Sequence, residues 1–145
     1  MLLCWQKKSI PNGARTYFNN REVKPTTGYY VQKLYGQNAG SHYIPSQIIL
    51  DNQDNRVKLR IGSSIVRDSK TGDVIVKLVN LLPVSVETEI QLPGIGSVQP
   101  SAVRTVLVGA PESTPLPVTD TIEVGTNFKQ QLPAYSFTVI RLKTK

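Results

Sequence analysis

Carboxylates are the side chains in this chain that come closest to catalytic chemistry, since a glycosidase or an acid protease needs two of them facing one cleft. Their positions do not suggest such a pair. Glu87 and Glu89 alternate with apolar residues, as the solvent side of a strand does, and other acids fall in polar, turn-like segments: Asp51, Asp54, Asp68, Asp73, Glu112 and Asp120. We therefore expect solvated surface acids and predict no catalytic residue.

The other reactive side chains are a single cysteine, Cys4, and a single histidine, His42. One cysteine excludes an internal disulfide, and the two residues together exclude a Cys/His zinc cluster within one chain. No G-x-S-x-G segment accompanies His42, which we interpret as a surface or capping residue, and Cys4 as a small buried apolar side chain. Gly94-Ile95-Gly96 lacks the third glycine of a dinucleotide site. We predict no metal and no cofactor.

The net charge of +7 raises the question of nucleic acid. Binding a phosphate backbone requires basic residues gathered on one face. Here they are scattered: Lys58 and Arg60 alternate with apolar residues in what resembles a strand, and the clusters are limited to Lys7-Lys8 and the segment 143–145. We therefore predict a solvated surface and no nucleic-acid partner.

Membrane insertion is not indicated either. No apolar run approaches the ~18 residues that a membrane helix needs. The apolar stretch at residues 1–5 precedes Lys7 and Lys8 and is shorter than the core of a signal peptide. We expect no membrane span and no export signal, and the sequence assigns no compartment.

The stretch TTGYYVQKLYGQNAG, residues 26–40, has the apolar spacing of an amphipathic helix, which we predict over residues 27–38. Thr26 and Thr27 supply a start signal and Gly40 a stop signal. One face carries four apolar residues, which we predict to be an interface: Tyr30, Val31, Leu34 and Tyr35.

After Pro45 the apolar period changes to two, most clearly over residues 84–92. Similar patterns separated by turn signals predict strands over residues 47–50, 56–66, 74–81, 102–108, 119–124, 128–132 and 135–142. The runs 74–79 and 137–140 are almost continuous in β-forming residues, which is typical of central strands covered on both sides. About eight strands without intervening helices favour an all-β antiparallel sandwich preceded by one amphipathic helix.

Four segments resemble, in order, the C-terminal part of α-L-arabinofuranosidases of glycoside hydrolase family 51. They are Tyr17-Phe18-Asn19-Asn20, Gly28 to Tyr35, Asp73 to Asn80, and Leu132 to Leu142. The resemblance covers nearly the whole chain. It implies a jelly-roll-like β-sandwich over residues 44–145, preceded at residues 1–43 by the last strand and helix of a (β/α)8 barrel.

The resemblance also implies a function. The family hydrolyses terminal α-L-arabinofuranosyl linkages, as in arabinan and arabinoxylan, with two glutamates from earlier barrel strands that this sequence does not contain. We therefore expect the chain alone to be inactive and to meet arabinose-containing polysaccharide only through a parent enzyme. The partner of the helix face would be the barrel of that parent or a second copy of the chain.

Two other classes of function remain open. One is a free-standing carbohydrate-binding or protein-interaction module, which would need exposed aromatic rings on the sandwich. Phe128, Tyr135 and Phe137 fall where a core would take them up, so we predict no sugar platform. The other is a basic nucleic-acid-associated domain, which the scattered charges disfavour.

Overall fold

The protein consists mainly of antiparallel strands. The computed structural model describes residues 16–18, 23–25, 27–51, 54–109 and 116–144. Two helices are present in these ranges, α1 (Thr27–Gln37) and the one-turn α2 (Asn55–Lys58). The strands are β1 (Thr16–Phe18), β2 (Val23–Pro25), β3 (His42–Ile44), β4 (Ile61–Arg67), β5 (Val74–Asn80), β6 (Val86–Gln91), β7 (Val98–Val108), β8 (Val118–Glu123), β9 (Asn127–Leu132) and β10 (Ser136–Thr144).

Most of these strands form one six-stranded sheet of order β3-β4-β5-β10-β7-β8, the large sheet. Strands β6 and β9 pair with each other as the small sheet, and β1 pairs with β2. Every pairing is antiparallel. The predicted all-β antiparallel sandwich is therefore confirmed. Its jelly-roll connectivity remains a prediction.

The inner face of the large sheet packs against the small sheet. The contact between the two sheets is a hydrophobic cluster. It holds side chains from β5, β7 and β10 on one side and Ile90, Leu92 and Leu132 on the other. The outer face packs against α1, through a second cluster that includes Leu34, Ile75 and Phe137. Strands β5 and β10 lie at the centre of the sheet and are buried almost throughout, because one face is covered by strands and the other by the helix.

The segment 56–66 corrects one prediction. Val57, Leu59 and Ile61 alternate with charged residues, which predicts a strand, but the structure has the helical turn α2 and begins β4 at Ile61. The reason lies in Asp54, whose Oδ1 accepts a hydrogen bond from the Arg56 backbone N at 2.8 Å. This is N-capping geometry, which starts a helix whatever the later alternation suggests.

Two further differences concern the edge of the large sheet. The strand predicted over residues 47–50 is absent, since that segment has no regular structure. A strand is found instead at His42–Ile44, pairing with Ile65 to Arg67. It is short and mostly exposed, so it leaves little apolar alternation in the sequence. The predicted boundary at residue 44 therefore falls inside β3.

Candidate functional site

The four residues predicted as an interface lie where α1 meets the large sheet. Leu34 is only 7% exposed, and Tyr30 and Val31 are half-buried in the same cluster. Tyr35 is 41% exposed, and its ring stacks on Phe137 with centroids 4.9 Å apart. The sandwich of the same chain therefore covers much of the apolar face of α1. Association of this face with another chain stays a prediction, with Tyr35 as its most exposed member.

A buried lysine lies beside this contact. Lys77 on β5 is 4% exposed as a whole residue, and its Nζ is 5.0 Å from the centroid of the Tyr35 ring. Burial lowers the pKa of Lys77 and raises the pKa of Tyr35, because each charged form loses water. The ring face offers the ammonium group a cation–π contact in place of part of that water.

The structure brings two acids together at the far end of the β4–β5 hairpin. Arg141 Nη1 lies 2.8 Å from Asp73 Oδ2 and 3.7 Å from Asp68 Oδ2. Asp73 is only 7% exposed, so the prediction that it is a solvated surface acid is wrong. The pKa of Asp68 is lowered, first by a hydrogen bond from the Lys70 backbone and also by the Arg141 charge. Both acids therefore brace the hairpin against β10.

A second ion pair lies within the large sheet, and its arginine also reaches the small sheet. Arg104 on β7 donates from Nε to Asp120 Oδ1 at 2.9 Å, from Nη2 to Asp120 Oδ2, and from Nη1 to Gln130 Oε1 at 2.9 Å. The bidentate bond lowers the pKa of Asp120. Gln130 belongs to the small sheet, so the Arg104 guanidinium links β8 and β9 across the sandwich.

Three further described acids have hydrogen-bond or ion-pair partners. Asp54 pairs with Arg56, and Glu87 pairs with Lys129 across the small sheet. The pKa of Glu89 is lowered, first by a hydrogen bond from Gln91. A glycosidase needs one carboxyl whose pKa is raised, whereas the shifts at Asp54, Asp68, Glu89 and Asp120 all run downward.

The described part of the chain was predicted to hold neither a metal site nor a membrane span. Within it, no group of three or more His, Cys, Asp or Glu residues could hold a metal ion. His42 is exposed on β3, with its Nδ1 3.1 Å from Ser41 Oγ, as the surface interpretation predicts. No helix in the same ranges is long and apolar enough to cross a membrane. Cys4 lies outside the described residues.

Asn80 at the end of β5 was not singled out by the sequence, and Tyr135 just before β10 differs in part from its prediction. Asn80 is fully buried and its Nδ2 donates to the backbone oxygens of Val84 and Pro133, both at 2.9 Å. Tyr135 has a positive φ of 50° and is 37% exposed, so its predicted place in the core is wrong in part. Phe137 is buried as predicted. A tyrosine in left-handed backbone carries no sequence signal beyond the preceding Pro133-Ala134 turn.

The chain is similar to parts of several glycoside hydrolases of known structure. No protein-family model matches the chain, and no curated protein sequence matches it. Among solved structures, the arabinose-bound α-L-arabinofuranosidase MgGH51 aligns with 91% of this chain at 26% identity and a TM-score of 0.79. The α-L-arabinofuranosidase from Thermotoga maritima, in complex with arabinose, aligns with 88% of it at 13% identity and a TM-score of 0.73. A family 30 endoxylanase from Clostridium papyrosolvens aligns with 83% at 16% identity and a TM-score of 0.59.

These matches cover most of this chain and a small part of each enzyme. The aligned share is 21% of MgGH51, 31% of the Thermotoga enzyme and 28% of the endoxylanase. The resemblance to family 51 α-L-arabinofuranosidases is therefore confirmed in three dimensions, and it concerns one part of those enzymes. The endoxylanase shares the fold.

Proposed function

We propose that this chain is a non-catalytic β-sandwich domain of an α-L-arabinofuranosidase-like glycoside hydrolase. The observation that carries the proposal is the match to MgGH51, which extends over 91% of this chain but only 21% of that enzyme. In this proposal the parent enzyme hydrolyses terminal α-L-arabinofuranosyl linkages of arabinan or arabinoxylan. The sandwich supports the catalytic barrel and contributes no carboxylate to the reaction.

The state of the acids supports a non-catalytic role. A retaining mechanism needs two carboxyl groups about 5 Å apart, one acting as nucleophile and one as acid. Asp68 and Asp73 share the Arg141 guanidinium and serve the hairpin. Asp120 is held by Arg104. The pKa values of Asp68 and Asp120 are lowered, and a carboxyl group with a low pKa is a poor proton donor near neutral pH.

We further propose that α1 is the last helix of the parent barrel and that residues 1–43 belong to its end. The side of α1 turned away from the sheet includes Lys33 and Gly36, both exposed, and a Cβ added at Gly36 would meet nothing within 4 Å. That side has room for a neighbouring element. In the proposed parent, α1 would lie between the sandwich and the rest of the barrel.

Two experiments test this proposal. The purified chain should release no aryl alcohol from an aryl α-L-arabinofuranoside, even at tens of micromolar protein, and turnover that disappears on replacing Asp68 or Asp73 by asparagine would contradict it. The DNA upstream of the Met1 codon should encode, in frame, a barrel with two catalytic glutamates. An upstream sequence unrelated to glycoside hydrolases would favour the alternative of a free-standing module.

The alternative of a carbohydrate-binding module rests on Tyr135, whose ring is partly exposed. Titration with arabino-oligosaccharides separates the two readings. We expect dissociation constants no tighter than the order of millimolar, because a partly exposed ring such as that of Tyr135 is a small platform. Micromolar binding that is lost in a Tyr135→Ala variant would establish the module instead.

A further inference from the structure

One end of the large sheet is lined by exposed apolar side chains. The register places five chain segments at this end: the start of β4, the end of β5, the start of β10, the end of β7 and the start of β8. Six of the twelve exposed large apolar side chains in the described ranges lie here. We call them the apolar rim: Leu59, Leu81, Tyr135, Val108, Leu116 and Val118.

Backbone hydrogen bonds connect the central part of the rim. Leu81 N donates to Arg60 O at 2.8 Å, Tyr135 N donates to Leu82 O at 3.1 Å, and Gly109 N donates to Tyr135 O at 3.0 Å. These bonds run from β4 to β7 without a gap. With strands about 4.8 Å apart, the five strand ends span roughly 19 Å. The backbone segments that carry the rim are therefore neighbours along one end of the sheet, which distinguishes them from exposed apolar residues scattered singly over a surface.

The rim is also held rigid. Asn80 donates from Nδ2 to Val84 O, Leu132 O and Pro133 O, and its Oδ1 accepts from Leu82 N at 3.0 Å. This single buried side chain therefore fixes both loops beside β10. The left-handed backbone of Tyr135 is held by two hydrogen bonds, one from its N to Leu82 O and one from Gly109 N to its O. Such backbone conformations persist only where the surrounding structure enforces them, and they cluster at functional sites. A rigid apolar surface loses little conformational entropy on binding.

The order of the strands makes the rim self-complementary. Tyr135 precedes β10, the middle one of the five strands. Leu81 and Val108 lie one strand away from Tyr135, on opposite sides of it. Two strands away, Leu59 lies on the side of Leu81, and Leu116 and Val118 lie on the side of Val108. A two-fold axis at Tyr135 would therefore place an apolar side chain opposite an apolar side chain along the whole rim, as an isologous interface requires.

The charges favour the same arrangement. Lys58 and Arg60 are exposed beside Leu59, on the β4 flank. On the β8 flank the described charged residues are Arg104 and Asp120, which are paired with each other. A two-fold axis at Tyr135 puts the basic flanks of two copies at opposite ends of the rim, separated by more than the Debye length of about 8–10 Å. Two copies can thus meet without opposing like charges.

We propose that the apolar rim is the surface through which two copies of this chain form a two-fold dimer, with Tyr135 at the axis. The geometry makes this end of the sandwich a better candidate than the apolar face of α1, which is already packed against the large sheet. The proposal is independent of the proposed function, because it concerns the chain by itself.

The first test is the mass in solution. Sedimentation equilibrium at about 100 µM should give a mass near twice the 16.0 kDa of the chain. Leu81→Asp and Leu116→Asp should each raise the dissociation constant at least tenfold. Tyr43→Asp, which removes an exposed apolar residue at the other end of the sheet, is the matched control and should leave the constant unchanged.

The second test locates the axis. In a Cys4→Ser background, Tyr135→Cys should form a disulfide-linked dimer on mild oxidation, because a residue at a two-fold axis meets its own copy. Leu116→Cys should not link to itself, yet it should link to Leu59→Cys when the two variants are mixed. A monomer of 16.0 kDa at all concentrations overturns the proposal. So does a dimer unaffected by either aspartate variant, or one that Tyr35→Asp alone disrupts.

Discussion

The rings of Tyr35 and Phe137 stack almost in parallel, with an interplanar angle of 10°. They come from α1 and from β10, about a hundred residues apart in the sequence. This contact, with Leu34 beside it, ties the helix to the centre of the large sheet. The helix is therefore part of the packed core, and several measurements follow from that.

Replacing Leu34 by alanine should destabilise the fold by about 2–4 kcal/mol, because the side chain is buried between the helix and the sheet and its removal leaves a cavity. Lys33→Ala is the matched control: it lies one residue away and is exposed, so we expect a change within about 0.5 kcal/mol. Urea unfolding gives both values. Equal, small effects would mean that α1 does not pack on the sheet.

Two glycines of the helix region, Gly36 and Gly40, should respond in opposite directions. A Cβ at Gly40 would lie 2.6 Å from Val66 Cγ2, and the residue has a φ of +70°, so Gly40→Ala should cost about 1–3 kcal/mol. Gly36 lies within α1 with open space around it, so Gly36→Ala should gain about 0.5–1 kcal/mol. Thermal unfolding of both variants tests the pair. A loss of stability at Gly36 would show that its open side is occupied.

Lys77 should make the stability depend on alkaline pH. Its pKa in the folded state is lowered below the ordinary 10.5, so between the two values the unfolded chain binds more protons, and stability rises with pH. In Lys77→Met this contribution is absent, while Tyr35 titrates in both proteins. The stability of the native protein relative to Lys77→Met should therefore increase as the pH approaches 10.5. A difference that is constant from pH 7 to 10.5 would contradict the desolvation of Lys77.

Removal of the Arg141 guanidinium should leave the carboxylates of Asp68 and Asp73 without the cation that they share. Arg141→Met should cost about 1–3 kcal/mol at pH 7, because the buried Asp73 loses a charged hydrogen bond. The pKa of Asp68 is lowered first by the Lys70 backbone hydrogen bond, which Arg141→Met keeps, and in part by the Arg141 charge, which the variant lacks. The stability that comes from the Arg141 part is present above the ordinary 3.8 and is lost as the pH falls through the folded value. The difference in the free energy of unfolding between the native protein and Arg141→Met should therefore become smaller at acidic pH.

The control for this cluster is a double variant. Arg141→Met combined with Asp73→Asn should recover part of the lost stability at pH 7, since no carboxylate is then buried beside the missing guanidinium. If the double variant is less stable than the sum of the single effects predicts, the ion pair is not the source of the loss.

The sequence predicted the central parts of the fold best. Strands β5 and β10 are continuous in β-forming residues, and apolar and polar residues alternate in β6. The local sequence is therefore enough to predict which of their residues are buried. Strand β3 was missed because an edge strand of three residues, two of them exposed, carries no such pattern. In α2 the cap at Asp54 outweighed the alternation that follows it.

Partners were harder to predict than elements. The spacing of apolar residues in α1 shows which face is apolar but not what covers it. The structure shows that the large sheet covers much of this face. The pairing of Asp73 with Arg141 joins residues 68 positions apart, and the turn signals around Asp73 predict exposure. The apolar rim was invisible for the same reason, since its members gather only through the order of the strands.

The position of β10 has a consequence for how the chain folds. This strand lies between β5 and β7, yet it comes last among the described strands. Until residues 136–144 have left the ribosome, β5 and β7 each lack a neighbour, and both are rich in apolar side chains with free backbone groups. The sheet must therefore close around its last-made strand, through contacts of high sequence separation, which slows folding and prolongs the interval in which open edges can aggregate.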